Sequence, residues 1–248
     1  MKKIQVEGRN PVLEMLRRHV TVVEMFLDGR ARPDKKLEEI LALAREQKTI
    51  IKQVERNQLN TMSATGVHMG LIAFVEPPPL PTRLKDLLHE CRAKNEDPFL
   101  LLINDTLLQQ NLGAITRTAN AAGVHGIIVP RKQENPLTPE VIRVSMGAAL
   151  FTPIINESIF TAFKTLKSEG IPVTGVDMDG EILYSAAPLQ GSIALLLGGE
   201  HKGLSEPEIK RCRQLVRIPM KGIVSSLNIS AACAILVYEK LRQDRERR

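Results

Sequence analysis

The stretch LLLGGEHKGLS, Leu195 to Ser205, decides how this chain is read. It ends the run SIALLLGG, which is apolar from Ile193 to Leu197 without polar alternation. Such a run is the pattern of a strand covered on both faces, as in a parallel sheet. Gly198 and Gly199 stop it, and Glu200, His201, Lys202 and Gly203 follow at once. Glycine allows backbone to approach a ligand or another strand closely. Polar groups just past the end of a buried strand lie where α/β proteins bind ligands.

The same alternation runs through the C-terminal part of the chain. Strands are expected at Phe99–Asn104, Gly126–Pro130, Phe151–Ile155, Ile171–Val176 and Leu215–Pro219. Helices are expected at Asn111–Gly123, Thr138–Ala148, Ser158–Ser168, Glu206–Arg213 and from Asn228 to about Arg242. Asn111 and Asn228 are placed to cap helix starts, Gly123 to end a helix, and Pro139 to open one. Ile229, Cys233, Leu236, Val237 and Leu241 give the last helix an apolar stripe. The tail DRERR is expected to fray. Alternating strands and helices predict a mostly parallel sheet with helices on both faces.

Pro77, Pro78, Pro79 and Pro81 break this pattern upstream and read as a stiff linker, with a short helix expected after them around Leu84 to Cys91. Ahead of them, residues 1–76 form a small α/β unit. It has helices at Gly8–Arg18 and Lys35–Lys48, and strands ending at Gly29, over TIIKQV and over His68–Pro77. The expected organisation is thus an N-terminal domain at 1–76, a linker at 77–97 and a C-terminal domain at 98–248.

Composition narrows the function. The 248 residues carry a formal net charge of +6, a balance common in proteins that meet polyanions. There is no Trp and only two Tyr, which disfavours base-stacking platforms as the main mode of nucleic-acid binding. Cys91, Cys212 and Cys233 form neither a disulfide framework nor a thiolate metal site. No metal-ligand motif is present. GGEHKG lacks P-loop spacing, and no GxGxxG follows the first strand of the C-terminal domain, so kinase, ATPase and ordinary dinucleotide-binding readings lose support. No signal-peptide-like run opens the sequence and no segment reaches membrane-spanning length, so a soluble cytoplasmic protein is expected.

Three segments concentrate polar residues at strand–helix edges. QQNLGAITRTANAAG holds Asn111 and Arg117, LLLGGEHKGLS holds Glu200, and IPMKGIVSSLNISAA holds Ser226 and Asn228. Taken singly, Arg117 reads equally as a surface arginine, Glu200 as a local acceptor and Asn228 as a helix cap. Together, in this order and spacing, they resemble the three signature motifs of the SpoU (TrmH-like) family of RNA ribose 2′-O-methyltransferases of the SPOUT superfamily. The resemblance covers residues 98 to 243. GRNPVLEML and HMGLIAFV also resemble the ends of a small accessory domain found in members that act on 23S rRNA, itself similar to an RNA-binding ribosomal protein fold.

This resemblance implies a deep trefoil knot in the C-terminal domain, S-adenosylmethionine as cofactor, a homodimer, and methyl transfer to RNA rather than DNA. It implies catalytic roles for Asn111, Arg117, Glu200, Ser226 and Asn228. Leu197, Gly198, Gly199, Ile218, Met220 and Leu227 are expected to hold the cofactor. Arg9, Lys202 and Lys221 are expected to meet RNA, with Arg211, Arg213 and Arg217 as further candidates. The approach to motif one departs from the family, with Asn104, Leu108 and Gln109 where an aspartate and an Asp-Pro pair are usual. Alternatives are a tRNA 2′-O-methyltransferase and a non-catalytic RNA-binding relative.

Overall fold

A computed structural model describes residues 3–105, 108–132, 136–199, 203–223 and 226–246. They form two compact units, one of residues 1–79 with 137–151 and one of residues 80–136 with 152–248. Residues 137–151, expected in the C-terminal domain, therefore group with the first unit.

The first unit contains β1 (Ile4–Glu7), α1 (Arg9–Arg17), β2 (Thr21–Asp28), α2 (Lys35–Glu46), β3 (Ile50–Val54), α3 (Arg56–Met62) and β4 (Leu71–Glu76). Its sheet has the order β1-β4-β2-β3. β2 and β3 are parallel, joined by α2, while β4 runs antiparallel to β1 and β2. Leu37, Ile40 and Ala44 recur at helical spacing and are the buried face of α2. Asp34 caps that helix, accepting from the Leu37 amide at 2.7 Å. β4 starts three residues later than expected because Met69 and Gly70 take positive φ values of 49° and 78°. The buried His68 fixes that turn, its Nδ1 accepting from the Gly70 amide at 3.1 Å.

The later segment of this unit holds α6 (Pro139–Val144) and a short 3-10 turn at Ala148–Leu150. Thr138 caps α6 by accepting from the Val141 amide, and α6 packs on β1. The helix stops four residues before the expected Ala148. Met146 and Gly147 have φ of 57° and 89°, and a Cβ on Gly147 would stand 2.5 Å from Met15 Cε.

The second unit opens with α4 (Leu84–Ala93), the short helix expected within the linker stretch, two residues longer at its end. Leu84, Leu87, Leu88 and Cys91 make it part of the buried core. Then come β5 (Phe99–Ile103), α5 (Gln109–Ala121), β6 (Gly126–Val129), β7 (Ile154–Asn156), α7 (Ile159–Ser168), β8 (Val173–Val176), β9 (Ile182–Leu183), β10 (Ile193–Leu197), α8 (Glu206–Ile209), β11 (Gln214–Arg217) and α9 (Ile229–Glu246). The sheet order is β7-β6-β5-β10-β8-β11-β9, and every pairing is parallel. All five residues of β5 and all five of β10 are buried, which accounts for their unbroken apolar sequence.

α5 begins at Gln109, so Asn111 lies in its first turn and is not its cap. Gly123 (φ 75°) ends α5 as expected, its amide bonding Asn120 O while the Val124 amide bonds Ala119 O. α9 buries Ile229, Cys233, Leu236 and Val237. It also runs on through the expected frayed tail to Glu246, because Arg242 pairs with Glu239 and Glu246, and Asp244 accepts from Lys240 and from the Gly191 amide.

Candidate active site

From β5 the chain runs outward to β6 and β7 and then returns to β8, with β10 laid between β5 and β8. Parallel sheets bind ligands beyond the C-terminal ends of their strands at such a reversal of order. A cavity of about 430 Å³ opens there. Cofactor-sized ligands occupy pockets of roughly 300–1,000 Å³. The end of β8 supplies Val176, Asp177, Met178 and Asp179, and the end of β10 supplies Leu197, Gly198 and Gly199. Ile218 and Met220 follow β11, Ser226, Leu227, Ile229 and Ala232 come from the start of α9, and Gly203, Leu204 and Ile209 complete the wall.

All six residues expected to hold the cofactor line this one cavity. The glycines are there for steric reasons. Gly199 and Gly203 form an antiparallel bridge, and Gly203 bends back with φ of 60°. A Cβ on Gly198 would stand 2.4 Å from the Gly203 carbonyl carbon, and one on Gly199 would stand 2.4 Å from Asp105 Oδ2. A carboxylate thus does border motif two, one position beyond Asn104.

Asp177 holds the far limb of this strap. Its Oδ2 accepts from the Leu204 amide at 3.3 Å and its Oδ1 from the Asp179 amide at 3.1 Å. The sequence reading missed Asp177 and Asp179, although carboxylates directly after an apolar strand were a visible signal.

Motifs one and three meet where α5 packs on α9, and a side-chain pair joins them. Asn228 caps α9, its Oδ1 accepting from the Ser230 amide at 2.9 Å and from Ser230 Oγ at 2.6 Å. Its Nδ2 donates to Asn111 Oδ1 at 3.1 Å. Capping and linking thus coexist in one residue. Ser226 lies in the cavity wall. Arg117 does not: it is exposed on α5 and makes no hydrogen bond or ion pair among the described residues. Glu200 and Lys202 lie outside the described residues.

The other basic candidates differ in availability. Arg9 pairs with Asp34 at 2.5 Å, bracing the starts of α1 and α2. Arg217 Nη1 donates to Gly180 O and Glu181 O at 2.6 and 2.8 Å, and Arg211 packs over the Phe160 ring while donating to Pro207 O. Lys221 is exposed. Burial pushes the Cys212 and Cys233 thiols up to about 12, so neither is a ready nucleophile. Among the described residues no grouping of His, Cys, Asp and Glu could hold a metal ion, and no helix is long and apolar enough to cross a membrane.

The donor set fits an adenosyl sulfonium. Apolar side chains from β10, β11 and α9 can enclose a base, backbone at Gly198 and Gly199 can be approached closely, and the carboxylates carry charge opposite to a cation.

Comparison with known proteins agrees with this geometry. Residues 98–238 match the SpoU rRNA methylase family, and residues 5–81 match the RNA 2′-O ribose methyltransferase substrate-binding family. An uncharacterized tRNA/rRNA methyltransferase of Mycolicibacterium vanbaalenii is 35% identical over 241 residues, covering 97% of this chain and 76% of that protein. The 23S rRNA (guanosine-2′-O-)-methyltransferase RlmB of Pseudomonas syringae is 34% identical, covering 96% of this chain and 95% of that protein. The SpoU methyltransferase AviRb of Streptomyces viridochromogenes, solved with S-adenosylmethionine, superposes with a TM-score of 0.76 at 26% identity, over 97% of this chain and 90% of that one. With its parallel sheet of the trefoil-knot type and a pocket at the strand ends, the chain belongs to the SpoU family of S-adenosylmethionine-dependent RNA 2′-O-ribose methyltransferases.

Proposed function

We propose that this chain methylates a ribose 2′-hydroxyl of 23S rRNA in the cytoplasm, acting as a homodimer. In this reading the N-terminal domain of residues 1–76 selects the RNA, and the domain of residues 98–248 performs the chemistry. The single observation that carries the site is the cavity at the ends of β8, β10 and β11, with the Asn228–Asn111 bond tying its wall to the helix that bears Arg117. The match of residues 5–81 to a substrate-binding family and the likeness to a 23S rRNA enzyme support the choice of substrate.

S-adenosylmethionine, when bound, supplies an electrophilic methyl group. Leu197, Gly198, Gly199, Ile218, Met220 and Leu227 hold it in the cavity. The 2′-hydroxyl is a weak acid and a poor nucleophile, and it is the group that separates RNA from DNA. The Arg117 guanidinium holds a backbone phosphate and stabilises negative charge growing on the attacking oxygen. The proton leaves to that phosphate or to water. Asn111, Ser226 and Asn228 position the ribose, and Glu200 orients the motif-two loop. Arg9, Lys202 and Lys221 contact RNA phosphates, Arg9 by exchanging its bond to Asp34 for one to RNA.

The test is transfer of labelled methyl groups to 23S rRNA, tRNA and DNA, with the product mapped for ribose methylation. Transfer to 23S rRNA alone is expected. Transfer to tRNA alone moves the protein to the tRNA enzymes, and cofactor binding without transfer to any RNA makes it a non-catalytic binder. Arg117→Ala should lower transfer by at least a hundredfold, about 2.7 kcal/mol, while cofactor affinity stays within threefold. Unchanged turnover refutes the role given to Arg117.

A further inference from the structure

The charged side chains among the described residues that line the cavity are Asp177 and Asp179, and both are acids. The Asp177 side chain accepts from two backbone amides, those of Asp179 and Leu204. Those bonds also fix its position: Oδ2 is held against the strap at Leu204, 3.1 Å from the point a Cβ on Gly203 would occupy. Asp179 is exposed at the same rim. A cleft lined by one sign of charge between apolar walls favours the opposite sign in its ligand, and more strongly than open water would.

This bears on the family's reaction directly. The methyl donor carries a sulfonium cation; once the methyl has left, the demethylated product is a thioether with one positive charge fewer. Resting on the assignment of the cavity to S-adenosylmethionine, we propose that Asp177, assisted by Asp179, is a specificity-determining residue that selects the charged donor over its neutral product. The site then discharges product because the transfer itself removes the charge that held it. A pocket relying on apolar contact alone binds donor and product nearly alike, since they differ by one methyl group.

Binding affinities measured by calorimetry separate these accounts without relying on turnover. Three ligands serve as probes: S-adenosylmethionine, S-adenosylhomocysteine, and sinefungin, in which a carbon bearing a protonated amine replaces the sulfonium. Asp177→Asn should weaken both cationic ligands by about tenfold, or about 1.4 kcal/mol, and leave S-adenosylhomocysteine within about twofold. Asp179→Asn removes a charge without touching the strap and should weaken the same two ligands by a smaller factor. Rising salt should narrow the preference of the wild type. Equal losses for all three ligands would reduce Asp177 to a strap fastener, and no loss in either variant would exclude charge selection altogether. Wild-type protein that binds none of the three would strike the cofactor assignment of the cavity, a separate failure.

Discussion

Asn228 is the residue through which stability and catalysis can be pulled apart. Its Oδ1 satisfies the Ser230 amide at the start of α9, and its Nδ2 reaches Asn111. Asn228→Ala removes both. Losing a cap costs about 1 kcal/mol, and losing an exposed amide–amide bond costs about 0.5 kcal/mol. The sum is close to a tenfold change in an opening equilibrium. Asn228→Ser keeps a side-chain oxygen for the Ser230 amide, since serine caps about as well as asparagine, but it is too short to keep the bond to Asn111. Hydrogen exchange of the Ser230, Ala231 and Ala232 amides reads the cap, and methyl transfer reads the link. Exchange should accelerate about tenfold in the alanine variant and stay within about twofold in the serine variant. Transfer should fall in both, and a double-mutant cycle with Asn111→Ala should show the two residues coupled, the double variant losing less than the sum of the single losses. Wild-type transfer by the serine variant would refute a catalytic use of the Asn228–Asn111 bond. Unchanged exchange in the alanine variant would refute the cap.

Two further outcomes follow from the geometry. Gly198→Ala drives a Cβ to within 2.4 Å of the Gly203 backbone, so cofactor affinity measured by calorimetry should drop at least tenfold while the far-ultraviolet dichroism is retained. Glu7 is buried, and burial alone would raise its pKa, yet bonds from Ser63, Thr65, the Ala64 amide and Gln5 together hold it below its ordinary 4.5. A depressed carboxylate stabilises the fold fully above its unfolded pKa and loses that contribution as pH falls through the folded value. Acid unfolding of the first unit, followed by exchange of its sheet amides, should therefore begin below about pH 4.5, and Glu7→Gln should flatten that dependence while lowering stability near neutrality by about 2 kcal/mol.

The second unit was legible where local pattern and tertiary environment agree. β10 and α9 are examples: a strand buried on both faces must be apolar throughout, and a helix with one buried face must carry a stripe. β1 and β9, four and two residues long, are too short to carry a period. α3 buries only Leu59, so it leaves no stripe to read. The grouping of residues 137–151 with the first unit rests on contacts distant in sequence, such as α6 on β1, which no local window records. The cavity proposed to hold the cofactor has wall residues that family motifs pointed to, whereas Asp177 and Asp179 sit outside those motifs and had only strand-end position to announce them.

Arg117 poses the sharpest mechanistic demand. A guanidinium standing free in water is screened and contributes little to a transition state. To act it must be covered, and the proposed homodimer offers a way: Arg117 of one copy completes the cavity of the other. Exposed Leu108, Leu227 and Tyr238 supply apolar surface for such a contact around α5 and α9. The arrangement has a numerical consequence. Suppose Arg117→Ala and Asn228→Ala proteins, each inactive, are mixed equally and allowed to exchange subunits. Half the dimers are then hybrids. If Arg117 and Asn228 of one site come from different copies, each hybrid has one doubly damaged site and one intact site. Activity should return to about a quarter of wild type. If both residues serve the cavity of their own chain, every site in every hybrid carries one lesion and the mixture stays inactive. Recovery that rises with exchange time identifies a shared site. Continued silence, with hybrid dimers demonstrated by mass spectrometry, would return Arg117 to its own chain and leave RNA as the only cover for its charge.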